Sequence, residues 1–155
     1  MTHVKNLAVA LILSLIVIAP AAAGQVWTDN HGVAIKGYDV VSYFTEHQAR
    51  RGSQAHSMKH NGATYYFTSA ANQQAFQKNP KKYLPQYEGY CAFGVAKQMK
   101  RVPSDPRTFK ISNGKLLLFF NDFYKGQVVN TIVPWNQNEA MMSASAERNW
   151  KTMNR

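Results

Sequence analysis

In two stretches of the chain, segments of mixed apolar and polar residues flank an Asn-Gly pair on both sides. The first pair, Asn61-Gly62, lies between residues 55–60 and 63–67, and a second pair follows Ser112 between residues 108–111 and 115–120. Asn-Gly supplies the positive φ angles that a two-residue hairpin turn requires. The pattern therefore predicts two antiparallel hairpins.

Helical signals lie between the hairpins and after them. Ser69 is a good N-cap for a helix over residues 70–78, and Asn79-Pro80 ends it because the residue before a proline avoids the helical region. Three further helical segments are predicted, over residues 90–99, after Asn121, and over residues 135–150. Strand pairs mixed with helices, without regular strand–helix–strand alternation, predict an α+β fold. We expect a small antiparallel sheet built from the two hairpins, packed with short helices and a C-terminal helix.

The amino-terminal residues are the most apolar part of the chain. Lys5 is followed by an uncharged run over residues 7–23 that ends in small residues up to Gly24. A basic residue, an apolar run and a small-residue site are typical of a signal peptide. We expect residues 1–24 to be cleaved, with an uncleaved membrane anchor as the alternative. Residues 25–155 are then a single domain, with its core at about 33–121 and a C-terminal helical extension.

The composition is strongly basic, with 18 Lys and Arg against 8 Asp and Glu and a formal net charge of +10. In a bacterial periplasmic or secreted protein this charge favours an anionic surface or an acidic partner protein. The basic residues form no nucleic-acid motif, so we expect no nucleic-acid partner. Cys91 is the only cysteine, which excludes a fold held by internal disulfides.

The first hairpin carries a candidate metal site. Side chains alternate along a strand, so His56, Met58 and His60 project from one face. Imidazole and thioether ligands suit copper. With a two-residue turn, the residues opposite them are Phe67, Tyr65 and Ala63, respectively. The same register also favours the alternative that His56 and Met58 are simply core residues, because the other face of the hairpin is the more polar one.

Cys91 is the second candidate. It begins a predicted helical segment, where the positive end of the helix dipole favours a thiolate. It could be a third soft ligand, a redox-sensitive thiol or an intermolecular disulfide partner, but free cysteine is more often a small buried group. A hydrolase with Cys91 as nucleophile and a histidine as base is the enzymatic alternative. Nothing supplies a third orienting residue, so we expect no enzyme.

Several segments of the chain resemble the exported, stand-alone branch of the YHS domain family. The segments are Gly37-Tyr38-Asp39-Val40-Val41-Ser42-Tyr43-Phe44, Asn61-Gly62-Ala63-Thr64-Tyr65-Tyr66-Phe67, Asn79-Pro80-Lys81-Lys82-Tyr83 and Gly89-Tyr90-Cys91-Ala92. The resemblance covers residues 33–121 and implies a small module that is commonly associated with metal handling. Many members carry a Cys-x-x-x-Cys pair where this chain has Thr68 and Asn72, which are poor ligands for Cu(I) or Zn(II). The resemblance thus implies the fold, but that cysteine site cannot be transferred.

Two functions follow as expectations. The first is an exported metal-binding or metal-delivery module that prefers copper, with zinc as the other ion. Its ligands would be His56, Met58, His60 and Cys91. The second is a metal-free interaction module that recognises a small ligand or a partner protein. In that case the basic surface would act with four aromatic residues: Tyr38, Tyr43, Tyr87 and Tyr90.

Overall fold

Residues 26–155 are the part of the chain that the computed structural model describes, and they form helices and short strand pairs. The predicted signal peptide, residues 1–24, lies outside the described residues. The α-helices are α1 (Ser42–Thr45), α2 (Ala70–Lys78), α3 (Pro80–Tyr83), α4 (Ala92–Gln98), α5 (Ile132–Gln137) and α6 (Glu139–Met153). The strands are β1 (Ser53–His60), β2 (Ala63–Phe67), β3 (Asp105–Ser112), β4 (Lys115–Phe119), β5 (Asn121–Tyr124) and β6 (Gln127–Asn130). The α+β class is confirmed.

The strands pair as three antiparallel hairpins, each in its own two-stranded sheet. Both predicted hairpins, β1–β2 and β3–β4, are present. The third, β5–β6, lies where a short helix was predicted after Asn121, so that prediction is wrong. Lys125 and Gly126 form its turn with φ of 50° and 85°, and β-branched residues in β6 favour extended backbone.

The first hairpin departs from the predicted register at one end. Met58 lies opposite Tyr65 and His60 opposite Ala63, as predicted. Ser53, rather than His56, lies opposite Phe67, because the register shifts between Ser53 and Ser57. His56 therefore lies in an irregular part of β1. Just before the strand, a Cβ on Gly52 would lie only 2.3 Å from the Tyr66 carbonyl carbon, so the chain enters β1 closer to β2 than other residues allow.

The helices follow the local signals closely. The Ser69 hydroxyl accepts from the Asn72 amide at 3.2 Å, and α2 ends before Pro80, which begins α3. The predicted C-terminal helix is divided into α5 and α6 at Asn138, whose φ is −152° and whose side chain caps α6. No helix within residues 26–155 is both long and apolar enough to cross a bilayer.

Strand β4 lies between two hydrophobic clusters. Its Leu116 and Leu118 belong to the first cluster, with residues from β1, β2, α1 and α2. Its Leu117 and Phe119 belong to the second cluster, with residues from α4, α5 and α6. Because alternate side chains of a strand point to opposite faces, β4 is buried on both of them.

Two short turns have left-handed backbone. In the first, Ile35–Gly37, all three residues have positive φ, and in the second, Gln86–Gly89, the last three do. This conformation costs roughly 1–2 kcal/mol for each non-glycine residue. The amino-terminal segment connects the turns, because the Trp27 amide donates to the Glu88 carbonyl at 2.6 Å and the Trp27 carbonyl accepts from the Ile35 amide at 3.2 Å.

Candidate functional site

The predicted ligands on β1 lie against the first hydrophobic cluster. Met58 is partly buried and packs on it. The His60 ring makes edge contacts with Phe76 at 5.4 Å and Tyr65 at 6.2 Å between ring centroids. His56 is half-buried. Met58 and His60 therefore share a face, as predicted, and that face is aromatic.

Cys91 lies at a different place, at the start of α4. Its Sγ is 3.3 Å from the Thr131 hydroxyl and accepts from the Gly94 amide at 3.4 Å. The side chain is only 1% exposed. Within residues 26–155, no group of three or more His, Cys, Asp and Glu side chains is placed to hold a metal ion. The structure thus shows Cys91 in a small polar contact of its own.

Thr68 and Asn72 are both hydrogen-bonded to the carboxylate of Asp39. One Asp39 oxygen accepts from the Thr68 amide at 2.8 Å, the Thr68 hydroxyl at 2.9 Å and the Asn72 side-chain amide at 2.7 Å. The other oxygen accepts from the Val41 amide at 2.8 Å. Asp39 is fully buried, so these bonds replace its lost hydration. Through these bonds to Asp39, Thr68 and Asn72 connect the start of α2 to the start of α1.

The four predicted recognition tyrosines are widely distributed. Tyr43 is fully buried, its hydroxyl donates to the Pro106 carbonyl at 2.8 Å, and burial raises its pKa. Burial likewise raises the pKa of Tyr87 to about 12. Tyr90 and Tyr38 are half-buried. Only Tyr38 has a cation over its face, with the Arg51 guanidinium 5.0 Å from the ring centroid.

A cleft of about 320 Å³ opens beside this guanidinium. It lies between residues 29–37 and the beginning of β1. The side chains that give it polar character are Asp29, His31, Lys36, Arg51, Gln54 and Tyr66. The cleft therefore combines two cationic groups and an aromatic ring with one carboxylate, that of Asp29.

Lys36 and Arg51 are held together although 15 positions separate them. An Arg51 Nη donates to the Lys36 carbonyl at 3.3 Å, and the Lys36 ammonium lies 5.5 Å from the centroid of the Trp27 ring. Neither cation makes a salt bridge, which is true of most cations among the described residues. Lys36 interacts with the Asp105 carboxylate at longer range. One Asp29 oxygen accepts from the amides of residues 31 and 33, so it is engaged by its own loop.

Sequence reasoning did not identify this pair. Ile35 and Lys36 both have φ of 50°, and nothing about a β-branched residue followed by lysine predicts left-handed backbone. The only local signal was Gly37, with φ of 77°. A general preference for anionic partners was predicted from the net charge, but the residues that concentrate it here were not.

Comparison of the chain with protein-family models, with curated proteins and with solved structures finds no match. The YHS resemblance therefore rests on the sequence segments that carry it.

Proposed function

We propose that the protein is a non-enzymatic binding module whose cleft at Lys36 and Arg51 recognises a small anionic ligand, with carboxylate or phosphate groups. The observation that carries this proposal is that Lys36 and Arg51 line one cleft of about 320 Å³ and are joined there by the bond from Arg51 to the Lys36 carbonyl. It corresponds to the metal-free alternative among the two expected functions. Tyr38 contributes by supporting the Arg51 side chain.

The left-handed backbone at Lys36 supports a role for this residue in ligand binding, and not in solubility alone. Left-handed residues other than glycine persist only where surrounding structure holds them, and they cluster at functional sites. Ile35 is fully buried, so its side chain anchors the turn while the following Lys36 side chain is exposed. The turn thus defines the backbone position of Lys36, from which its ammonium group reaches the Trp27 ring.

The two cations differ in what they offer a ligand. Arginine presents a planar fork that can bind a carboxylate or phosphate through two parallel hydrogen bonds, whereas lysine acts as a point charge. The contact of the Arg51 guanidinium with the Tyr38 ring helps to hold this side chain at the cleft. The net charge of +10 adds a long-range attraction for anions.

Calorimetric titration with citrate and with inorganic phosphate tests the proposal. The informative variant is Lys36→Asn with Arg51→Gln, because asparagine tolerates left-handed backbone. A charge-assisted hydrogen bond is worth about 1.5–3 kcal/mol, so affinity for a bound anion should fall at least about tenfold.

Lys125→Asn with Arg148→Gln is the matched control. Lys125 also has φ of 50°, precedes a glycine and lies 5.5 Å from an aromatic centroid, that of Tyr124. The control removes the same net charge, so equal weakening in both double variants would show only general attraction. Absence of binding to either anion by the unchanged protein would contradict the proposal.

Copper binding on β1 is the second candidate, because Met58 and His60 do share one face of the strand. Elemental analysis of protein purified without added metal separates the two functions. Stoichiometric copper or zinc that is lost in His60→Ala supports the metal site. A reproducibly metal-free protein that binds anions supports the cleft.

A further inference from the structure

Hairpin β5–β6 projects from the rest of the protein with apolar side chains exposed. All residues from 122 to 128 are exposed, including Phe123 at 66%, Tyr124 at 55% and Val128 at 74%. Phe123 lies directly opposite Val128, so their side chains are neighbours on one face. A two-stranded hairpin is marginally stable in water by itself, and this one leaves its largest apolar groups uncovered.

The base of the hairpin is held firmly. The Thr131 amide and hydroxyl both donate to the Phe120 carbonyl at 3.0 Å. The Asn121 side chain donates to the Thr108 hydroxyl, also at 3.0 Å. These bonds fix where the hairpin leaves the domain, so its exposed tip is presented in a defined direction.

Charge indicates what kind of surface fits this tip. Lys125 lies in the turn with its ammonium 5.5 Å from the Tyr124 ring. The hydrogen bond and ion pair with Asp105 raise the pKa of the Arg107 guanidinium on neighbouring β3, and the charge of Asp122, the acidic residue of the hairpin, adds to this. Aromatic and aliphatic side chains next to lysine suit the boundary between acyl chains and headgroups, where the apolar parts are buried and the ammonium reaches phosphate. The net charge of +10 complements anionic lipids.

We propose that the β5–β6 tip inserts into the interfacial layer of membranes that contain anionic lipid. Phe123 and Val128 enter the acyl boundary, Tyr124 lies at the headgroup level, and Lys125 contacts lipid phosphate. This attachment is independent of the anion cleft and would hold the domain at a membrane surface by a reversible contact.

Co-sedimentation with phosphatidylcholine vesicles, with and without phosphatidylglycerol, tests this inference. The full chain and its variants share one amino-terminal segment, so binding through residues 1–25 is common to all of them. Phe123→Ser with Val128→Ser should weaken partitioning onto anionic vesicles about tenfold, because buried apolar area is lost without a change of charge. Val133→Ser with Met141→Ser is the matched control, since these apolar side chains are 54% and 47% exposed elsewhere.

A second readout does not depend on a destabilising change. The tryptophan of Phe123→Trp adds its own emission to that of the unchanged protein. On insertion this added emission should shift to shorter wavelength, and brominated lipids should quench it. Equal partitioning of the two double variants, or an unquenched tryptophan at position 123, would overturn the proposal. Self-association that Phe123→Ser with Val128→Ser abolishes, without vesicle binding by the unchanged protein, would also overturn it and identify a contact between copies.

Discussion

Hairpins β3–β4 and β5–β6 have nearly the same turn and opposite surroundings. Asn113 and Gly114 have φ of 49° and 71°, and Lys125 and Gly126 have φ of 50° and 85°. Yet four of the five residues of β4 are buried, whereas residues 122–128 are all exposed. The same backbone reversal thus supports the core in one hairpin and a projecting surface in the other. Turn geometry establishes a hairpin, and burial determines how much it stabilises the protein.

The largest expected difference is in the stability that strand side chains contribute in β4 and in β6. Leu118→Ala removes a fully buried side chain from the first cluster and should lower the free energy of unfolding by about 2–5 kcal/mol. Val128→Ala, in a side chain that is 74% exposed, should change it by less than about 0.5 kcal/mol. Denaturant titration of both variants measures the contrast. Similar losses would mean that β5–β6 is packed against something in solution.

An intermediate effect is expected at the turns. Alanine is strained at positive φ, so Gly114→Ala should cost about 1 kcal/mol of global stability. Gly126→Ala introduces comparable strain, but the hairpin can open without exposing the core. It should therefore leave the denaturation midpoint nearly unchanged while speeding amide hydrogen exchange over residues 122–129. A global loss as large as that of Gly114→Ala would make β5–β6 part of the cooperative unit.

The smallest effect concerns an ion pair that only one hairpin has. Lys110 of β3 is 2.6 Å from the Glu139 carboxylate at the start of α6, while no salt bridge of the described residues involves β5 or β6. The hydrogen bond from Lys110 holds the pKa of Glu139 below its usual value. The ion pair therefore stabilises the protein fully above the pKa that Glu139 has in the unfolded chain. This stabilisation is lost as the pH falls through the lower pKa that Glu139 has in the folded protein.

Lys110→Met should remove about 0.5 kcal/mol at neutral pH and flatten this part of the pH dependence. Denaturation of both proteins between about pH 6 and about pH 3 measures it, because that range brackets an ordinary carboxyl titration and its lowered counterpart. If the two curves stay parallel through this range, the ion pair does not contribute in solution.

Sequence reasoning succeeded where the signal was local. Asn61-Gly62 gave a hairpin because both residues tolerate positive φ, and Ser69 began α2 because its hydroxyl accepts a backbone amide. The Lys125-Gly126 turn was missed because lysine has no such preference. The predicted pairing of His56 with Phe67 was wrong because the register shifts next to Gly52, where the chain approaches β2 closely.

At the candidate sites, too, features set by local pattern could be predicted and contacts between distant residues could not. That Met58 and His60 share a face could be predicted from strand periodicity. The meeting of Lys36 and Arg51 could not, because it depends on a side-chain bond between distant residues and on a strained turn held by its surroundings. Likewise, Thr68 and Asn72 could be described as poor metal ligands, but their shared partner, Asp39, became evident only in the folded chain.

By itself, the sequence determined the α+β class, two hairpins, the limits of α2 and the basic character of the protein. These properties depend on backbone preferences of neighbouring residues and on composition. Only the tertiary structure decided that β4 is buried on both faces, that β5–β6 is exposed and that Lys36 and Arg51 line one cleft. Those outcomes depend on packing and hydrogen bonds between residues far apart in the chain, for which no local pattern exists.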